Sequence, residues 1–155
     1  DLVDIDVEDE RAALTFTKTQ MGRKREPDAV KWIDDNHFAT ANEGDMDGGS
    51  RGWTIFHKDG SVVYEAGNTF EHAIVQIGHY PDKRSDSKGV EPESIEAATF
   101  NGTPMVFVGA ERSSSLSAPL AFEVSPPSNG TTSFIMLRSL DSRAHFSFAN
   151  TANLR

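Results

Sequence analysis

Short apolar runs alternate with turn-forming clusters along nearly the whole chain. Residues 1–12 are acidic with weak alternation and read as an edge strand or an incoming linker. The run Ala13–Thr19, "ALTFTKT", alternates apolar and polar positions and is a strand candidate. "AVKWI" and "HFATANEG" flank Asp34, Asp35 and Asn36, whose side chains bond locally to backbone in turns, so this stretch reads strand, turn, strand. "RGWTIFHKDGSVVYEAG" places an Asp-Gly turn between two β-rich runs, a hairpin signature. "EAATF" and "TPMVFVGAE" flank Asn101-Gly102 and predict a second hairpin. "LAFEV", "SFIMLRSL" and "HFSFAN" are further short strands. One stretch has helical character, "TFEHAIVQIGHY", with Thr69 as N-cap and Gly78 as stop, giving a helix near 69–77. Residues 81–90 and 125–132 are polar, turn-rich loops. The pattern predicts an all-β fold of short antiparallel strands with one short helix, in a single β-rich domain or propeller segment over residues 1–155.

A longer period lies over the strands. Glu26–Asp45 reads "EPDAVKWIDDNHFATANEGD", and 65 positions on Glu91–Arg112 reads "EPESIEAATFNGTPMVFVGAER". Both open Glu-Pro-acid and close a β-like run with a glutamate, Glu43 and Glu111. Pro27 and Glu43 are 16 positions apart, Pro92 and Glu111 are 19, and the "NGT" turn is expected to absorb the extra three. "FSFANTAN" (Phe146–Asn153) is a fainter third echo of "HFATANEG". Such self-similarity marks repeat architectures, including propellers with roughly 40–50 residues per blade. The chain would hold about three blades, fewer than the roughly 4–8 of a closed propeller. Remaining blades of the same protein, or self-association, are therefore expected partners.

Charge narrows the partners. The net charge of −9 argues against nucleic acid, which requires a basic footprint, and is compatible with binding cations. No apolar run approaches a membrane span. The absence of cysteine excludes disulfides and thiolate metal sites. The first residue, Asp1, is expected to follow processing or to lie inside a longer chain.

The paired segments "EPDAV…ATANEGD" and "KGVEPES…ER", with the stretch between them, resemble the choice-of-anchor I family of secreted β-propellers over about Arg25–Arg112. Members are often labelled alkaline phosphatase-like or phytase-esterase-like. The resemblance implies a secreted, periplasmic or cell-surface propeller, calcium dependence and phosphoester hydrolysis. The chain departs from the pattern after Arg112, and at the third echo "FANTANLR" carries no acid.

In a propeller, repeat-equivalent residues form a ring. Glu26, Asp28, Glu43, Glu91, Glu93 and Glu111 would then converge, and clustered carboxylates repel unless a cation or protons intervene. Hard oxygen ligands favour calcium, magnesium less so. Asp45 and Asp47 in "DMDGG" add to a calcium-loop character but lack the downstream glutamate of an EF-hand. A bound ion polarises a phosphoryl oxygen, so Glu43, Glu111 and Arg112 are candidate catalytic residues. Arg51 and Arg112 are candidates for holding a phosphate by paired hydrogen bonds. The same glutamates would serve equally to cap turns and tie blades together. His37, His57, His72, His79 and His145 show no metal-ligand spacing, and no Gly-x-Ser-x-Gly nucleophile motif is present. Two functions remain open: a calcium-dependent phosphoester hydrolase acting on a small phosphoester, or a non-catalytic extracellular module binding an extracellular ligand, with structural calcium.

Overall fold

The computed structural model describes residues 2–8, 14–113, 120–124 and 134–137. "HFSFAN", the third echo at 146–153 and the 125–132 loop lie outside the described residues. The order of elements is β1 (Leu2–Ile5), β2 (Lys18–Gln20), β3 (Pro27–Trp32), β4 (His37–Asn42), β5 (Gly52–His57), β6 (Val62–Glu65), α1 (Thr69–Gln76), a 3-10 turn (Asp82–Arg84), β7 (Pro92–Phe100), β8 (Thr103–Ala110), β9 (Leu120–Val124) and β10 (Phe134–Leu137). The fold is all-β with one short helix, as the pattern predicted. Strands β3-β4-β5-β6 form one four-stranded sheet and β7-β8-β9-β10 another, while β1 pairs with β2. All pairs are antiparallel. Each four-stranded sheet is an up-and-down meander, the arrangement of a propeller blade. Strands β9 and β10 complete the second sheet.

The sequence repeat is a structural repeat. Glu26 and Glu91 both precede proline with positive φ, 49° and 51°. Each is followed by a bulge, between Pro27 and Ala29 and between Pro92 and Ser94. A residue before proline is pushed toward extended backbone, so this kink is disfavoured by about 1–3 kcal/mol at each site and persists only where surroundings hold it. The three extra residues of the second copy are not in its turn. Its strands run nine and eight residues against six and six, and its turn is two residues against four. Asn101 (φ 50°) and Gly102 (φ 81°) form that tight turn, as Asn-Gly predicts.

The helix starts one residue earlier than expected, with Asn68 rather than Thr69 at the cap; the Thr69 hydroxyl instead donates to Ala66 O. Its stop is as read. Gly78 adopts φ 76°, His79 N–H donates to Ile74 O and Gly78 N–H to Val75 O, the paired bonds that close a helix through a left-handed residue. The N-terminal strand candidate is displaced: β2 begins at Lys18, residues 14–17 lie outside any strand with Thr15 N–H donating to Asp6 Oδ2, and Ala13 lies outside the described residues.

One face of the first sheet, with Ala39, Trp53 and Ile55, packs on Phe70, Ala73 and Ile74 of α1 and on Val106, Val108 and Ala110 of β8. Strand β7 lies beside β3 and β4.

Candidate functional site: a charge cluster between the repeats

Both repeat glutamates stand at the ends of second strands, Glu43 after β4 and Glu111 after β8. Glu91 stands at the start of β7, and Glu111 N–H donates to Glu91 O at 2.9 Å. Carboxylate oxygens of Glu43, Glu91 and Glu111 lie within 4.8 Å of one another. Those of Asp28, Glu43 and Asp45 do the same, so Glu43 belongs to both groups. Glu43 and Glu91 are buried, whereas Asp28, Asp45 and Glu111 are exposed. The structure thus brings together five of the carboxylates singled out in the sequence.

The other three lie apart from both groups, and Asp47 pairs with Lys24 at 3.2 Å. Glu26 accepts hydrogen bonds from Met46 N–H and Asp47 N–H, at 3.1 and 3.0 Å, and ties its kink to the loop after β4. Glu93 is exposed in the β7 bulge.

Three cations thread the cluster. Lys88 Nζ is 3.0 Å from Glu43 Oε1, contacts Asp45 Oδ1 and is 3.9 Å from Glu91 Oε2. Arg84 Nε is 2.5 Å from Glu91 Oε1. Arg112 bridges Glu91 Oε2 (3.5 Å) and Glu111 Oε1 (3.0 Å). Lys88 and Arg84 come from the 81–90 loop, which the sequence marks only as polar. The hydrogen bond to Asp45 is the largest influence holding Lys88 in its charged form, and Lys88 in turn lowers the Asp45 pKa. Burial raises Glu43 above the usual carboxylate range, and Lys88 only partly offsets this. The hydrogen bond from Arg84 to Glu91 likewise raises the Arg84 pKa. Glu91 Oε2 is buried and accepts no hydrogen bond among the described residues.

Arg51 is placed elsewhere than a phosphate-binding role requires. It is fully buried, with φ 53°, and pairs with the equally buried Glu71 of α1 at 3.4 Å. Its guanidinium also donates to Asp6 O, Ser85 O and Ser87 O, at 3.1, 2.8 and 3.3 Å. It therefore ties the N-terminal segment, the first sheet, the helix and the 81–90 loop together. Burial pushes Glu71 up to about 7 against the lowering pull of Arg51, with the Val90 amide and Tyr80 hydroxyl also acting on it. Gly89 roofs this pair: a Cβ there would lie 1.9 Å from Glu71 Oε1 and 3.0 Å from an Arg51 nitrogen.

Two blade-like meanders joined through their own buried charges define an all-β repeat protein. The choice-of-anchor I domain model matches residues 46–125, about half of the chain. The chain belongs to that family. The match begins directly after the first Glu-Pro segment, which ends at Asp45, and runs beyond Arg112, where the sequence pattern was expected to break off. The alkaline phosphatase-like and phytase-like labels find no support in it. No curated protein and no solved structure gave a significant match.

Proposed function

We propose that this chain is a non-catalytic module of a secreted or cell-surface protein, and that its repeat carboxylates brace the two sheets. One observation carries the reading: Lys88, from the connector between the sheets, bridges Glu43 and Asp45 of the first repeat and approaches Glu91 of the second. Arg84 and Arg112 engage the remaining oxygens. A hydrolase would need such groups free to meet an ion and a phosphoryl oxygen, and Arg51 is buried in the joint. Choice-of-anchor I membership supports an extracellular or surface-anchored setting.

A second reading is favoured by Glu91 Oε2, which is buried without a hydrogen bond and close to Glu43 and Glu111. Five carboxylates against three cations leave net negative charge for a structural calcium ion, which takes roughly 6–8 oxygen ligands. Melting of chelator-treated protein with and without calcium, alongside turnover of an aryl phosphate, separates these readings. An unchanged melting temperature and no turnover is the result expected of the lysine-braced module. A calcium-dependent rise in melting temperature without turnover supports the structural ion. Calcium-dependent turnover that disappears in Glu43→Gln would overturn both.

A further inference from the structure

Two histidines that lie far apart in the sequence become neighbours in the first sheet. The register pairs His37, at the start of β4, with His57, at the end of β5. Residues directly opposite on adjacent strands share a face, with Cβ atoms about 4.5–5.5 Å apart. Side chains alternate along a strand, so the pair lies on the face of Ala39 and Ile55, opposite that of Phe38 and Phe56. It stands at the end of the sheet where both hairpins turn, and the two side chains are 36% and 35% exposed there. Lys58 ties the two turns together, its N–H donating to Asn36 O and its Nζ to Asn36 Oδ1, both at 2.7 Å. The imidazoles meet edge-on, with centroids 5.6 Å apart and planes at 69°.

Each ring has the same kind of partner on the same nitrogen. His37 Nδ1 is 3.0 Å from both carboxylate oxygens of Asp34, and His57 Nδ1 is 3.0 Å from Asp59 Oδ2. The carboxylates are themselves fixed. Asp34 Oδ1 accepts from Asn36 N–H and His37 N–H at 2.7 and 2.8 Å, and Asp59 Oδ1 accepts from the Ser61 N–H and hydroxyl at 2.9 and 2.6 Å. An ionised carboxylate only accepts hydrogen bonds, so each Nδ1 carries the proton. The Asp59 N–H reaches His57 Nδ1 only at 3.5 Å, too long to reverse that assignment. In the neutral ring the lone pair is then on Nε2, and among the described residues neither Nε2 has a hydrogen-bond partner. Carboxylates behind both rings are the arrangement that orients histidines for a metal ion. Rings sharing a tetrahedral ion through nitrogens at about 2.0–2.1 Å have centroids about 5 Å apart, close to the separation found.

We propose that His37 Nε2 and His57 Nε2 bind one divalent transition-metal ion of the zinc class, with Asp34 and Asp59 orienting the two rings. Imidazole nitrogen suits zinc, copper and nickel, whereas calcium and magnesium take oxygen. Charge agrees with geometry. The two turns carry Asp34, Asp35 and Asp59 against Lys58 alone, and the Lys58 ammonium is held on Asn36. Two protein ligands leave the remaining positions to water, so the site is open and its ion exchangeable. It is separate from the acidic cluster: His37 opens the six-residue β4 and Glu43 follows its far end, about 20 Å away by the rise of a strand. Nothing in this site depends on whether that cluster holds an ion.

Calorimetric titration of the tag-free chain with zinc chloride, in a non-chelating buffer with excess calcium present, tests it. Calcium fills any oxygen site and leaves imidazole nitrogens free. One zinc ion per chain should bind. His37→Gln and His57→Gln should each remove that binding, with circular dichroism unchanged. Asp59→Asn gives the hairpin an Asn-Gly turn, which the same turn geometry accepts, and should weaken zinc binding about 10–100-fold with both imidazoles in place. Nitrogen-15 spectra of the histidine rings read the ligands in the parent chain without any variant: zinc should shift Nε2 of His37 and His57 together and leave His72 and His79 unmoved. A chain that binds no zinc overturns the inference. So does zinc binding that survives either histidine variant, that shifts only one of the two rings, or that Asp59→Asn leaves unchanged.

Discussion

Replacing Gly89 with alanine isolates the joint between the sheets. Gly89 holds φ 62°, and an added Cβ would fall 1.9 Å from Glu71 Oε1, a separation no relaxed structure allows. The backbone conformation alone costs an alanine about 1–2 kcal/mol. Displacing Glu71 opens its pair with Arg51, and breaking a buried ion pair costs about 3–5 kcal/mol because a charge is left without its partner. Together these predict a loss of about 5 kcal/mol. At about 2–4 °C per kcal/mol for a chain of this size, the melting temperature should fall by about 10–20 °C. Gly67→Ala is the control. Its φ is 54°, but nothing lies within 4 Å of the added Cβ, so it carries the backbone cost without the clash and should shift melting by only a few degrees. Thermal unfolding followed by circular dichroism measures both. Equal shifts would refute the reasoning, since they would mean that the Arg51–Glu71 pair does not lie beneath Gly89.

Glu71 makes stability depend on pH in a direction opposite to an ordinary surface carboxylate. Burial raises it from 4.5 to about 7, so folding favours its protonated form. Its contribution is complete below about pH 4.5 and is lost as pH rises through 7, a fall of about 3 kcal/mol. Urea unfolding at pH 5 and pH 8 should show this, and Glu71→Gln should flatten it; Glu43, also raised by burial, acts in the same direction. Lys88→Ala leaves Glu43 without its cation and should lower the melting temperature more at pH 8 than at pH 5. On the lysine-braced reading, added calcium should recover part of that loss in the variant while leaving the parent unchanged. Asn101→Ala forces a residue with a Cβ but no polar side chain to hold φ 50° in the β7–β8 turn and should cost about 1–2 kcal/mol by urea unfolding.

What the sequence revealed and what it hid divide along the range of the interactions. The hairpins around Asp59-Gly60 and Asn101-Gly102 were legible because turn chemistry and alternation act between neighbours. The Glu-Pro repeat was legible because the same kink recurs in the same local setting at Glu26 and Glu91. Lys88 was not, because nothing in "DKRSDSKG" shows that its lysine folds back onto Glu43, 45 residues away. Arg51 was misplaced for a related reason. An arginine among glycines and serines reads as a solvent-exposed loop residue, and its burial comes from carbonyls at Asp6, Ser85 and Ser87 that only the folded chain assembles. The strand expected at Ala13–Thr19 has suitable alternation, but a side-chain bond from Asp6 claims the Thr15 amide.

The position of Arg51 has a kinetic consequence. Each meander can zip up from hairpins of short sequence separation, whereas the guanidinium is satisfied only when segments as distant as Asp6 and Ser87 have arrived. Closure of the joint is then a late and concerted event. In the native protein, amides of the 81–90 loop, the helix and the start of β5 should exchange with deuterium as one unit, because opening any one of them strands the same buried charge.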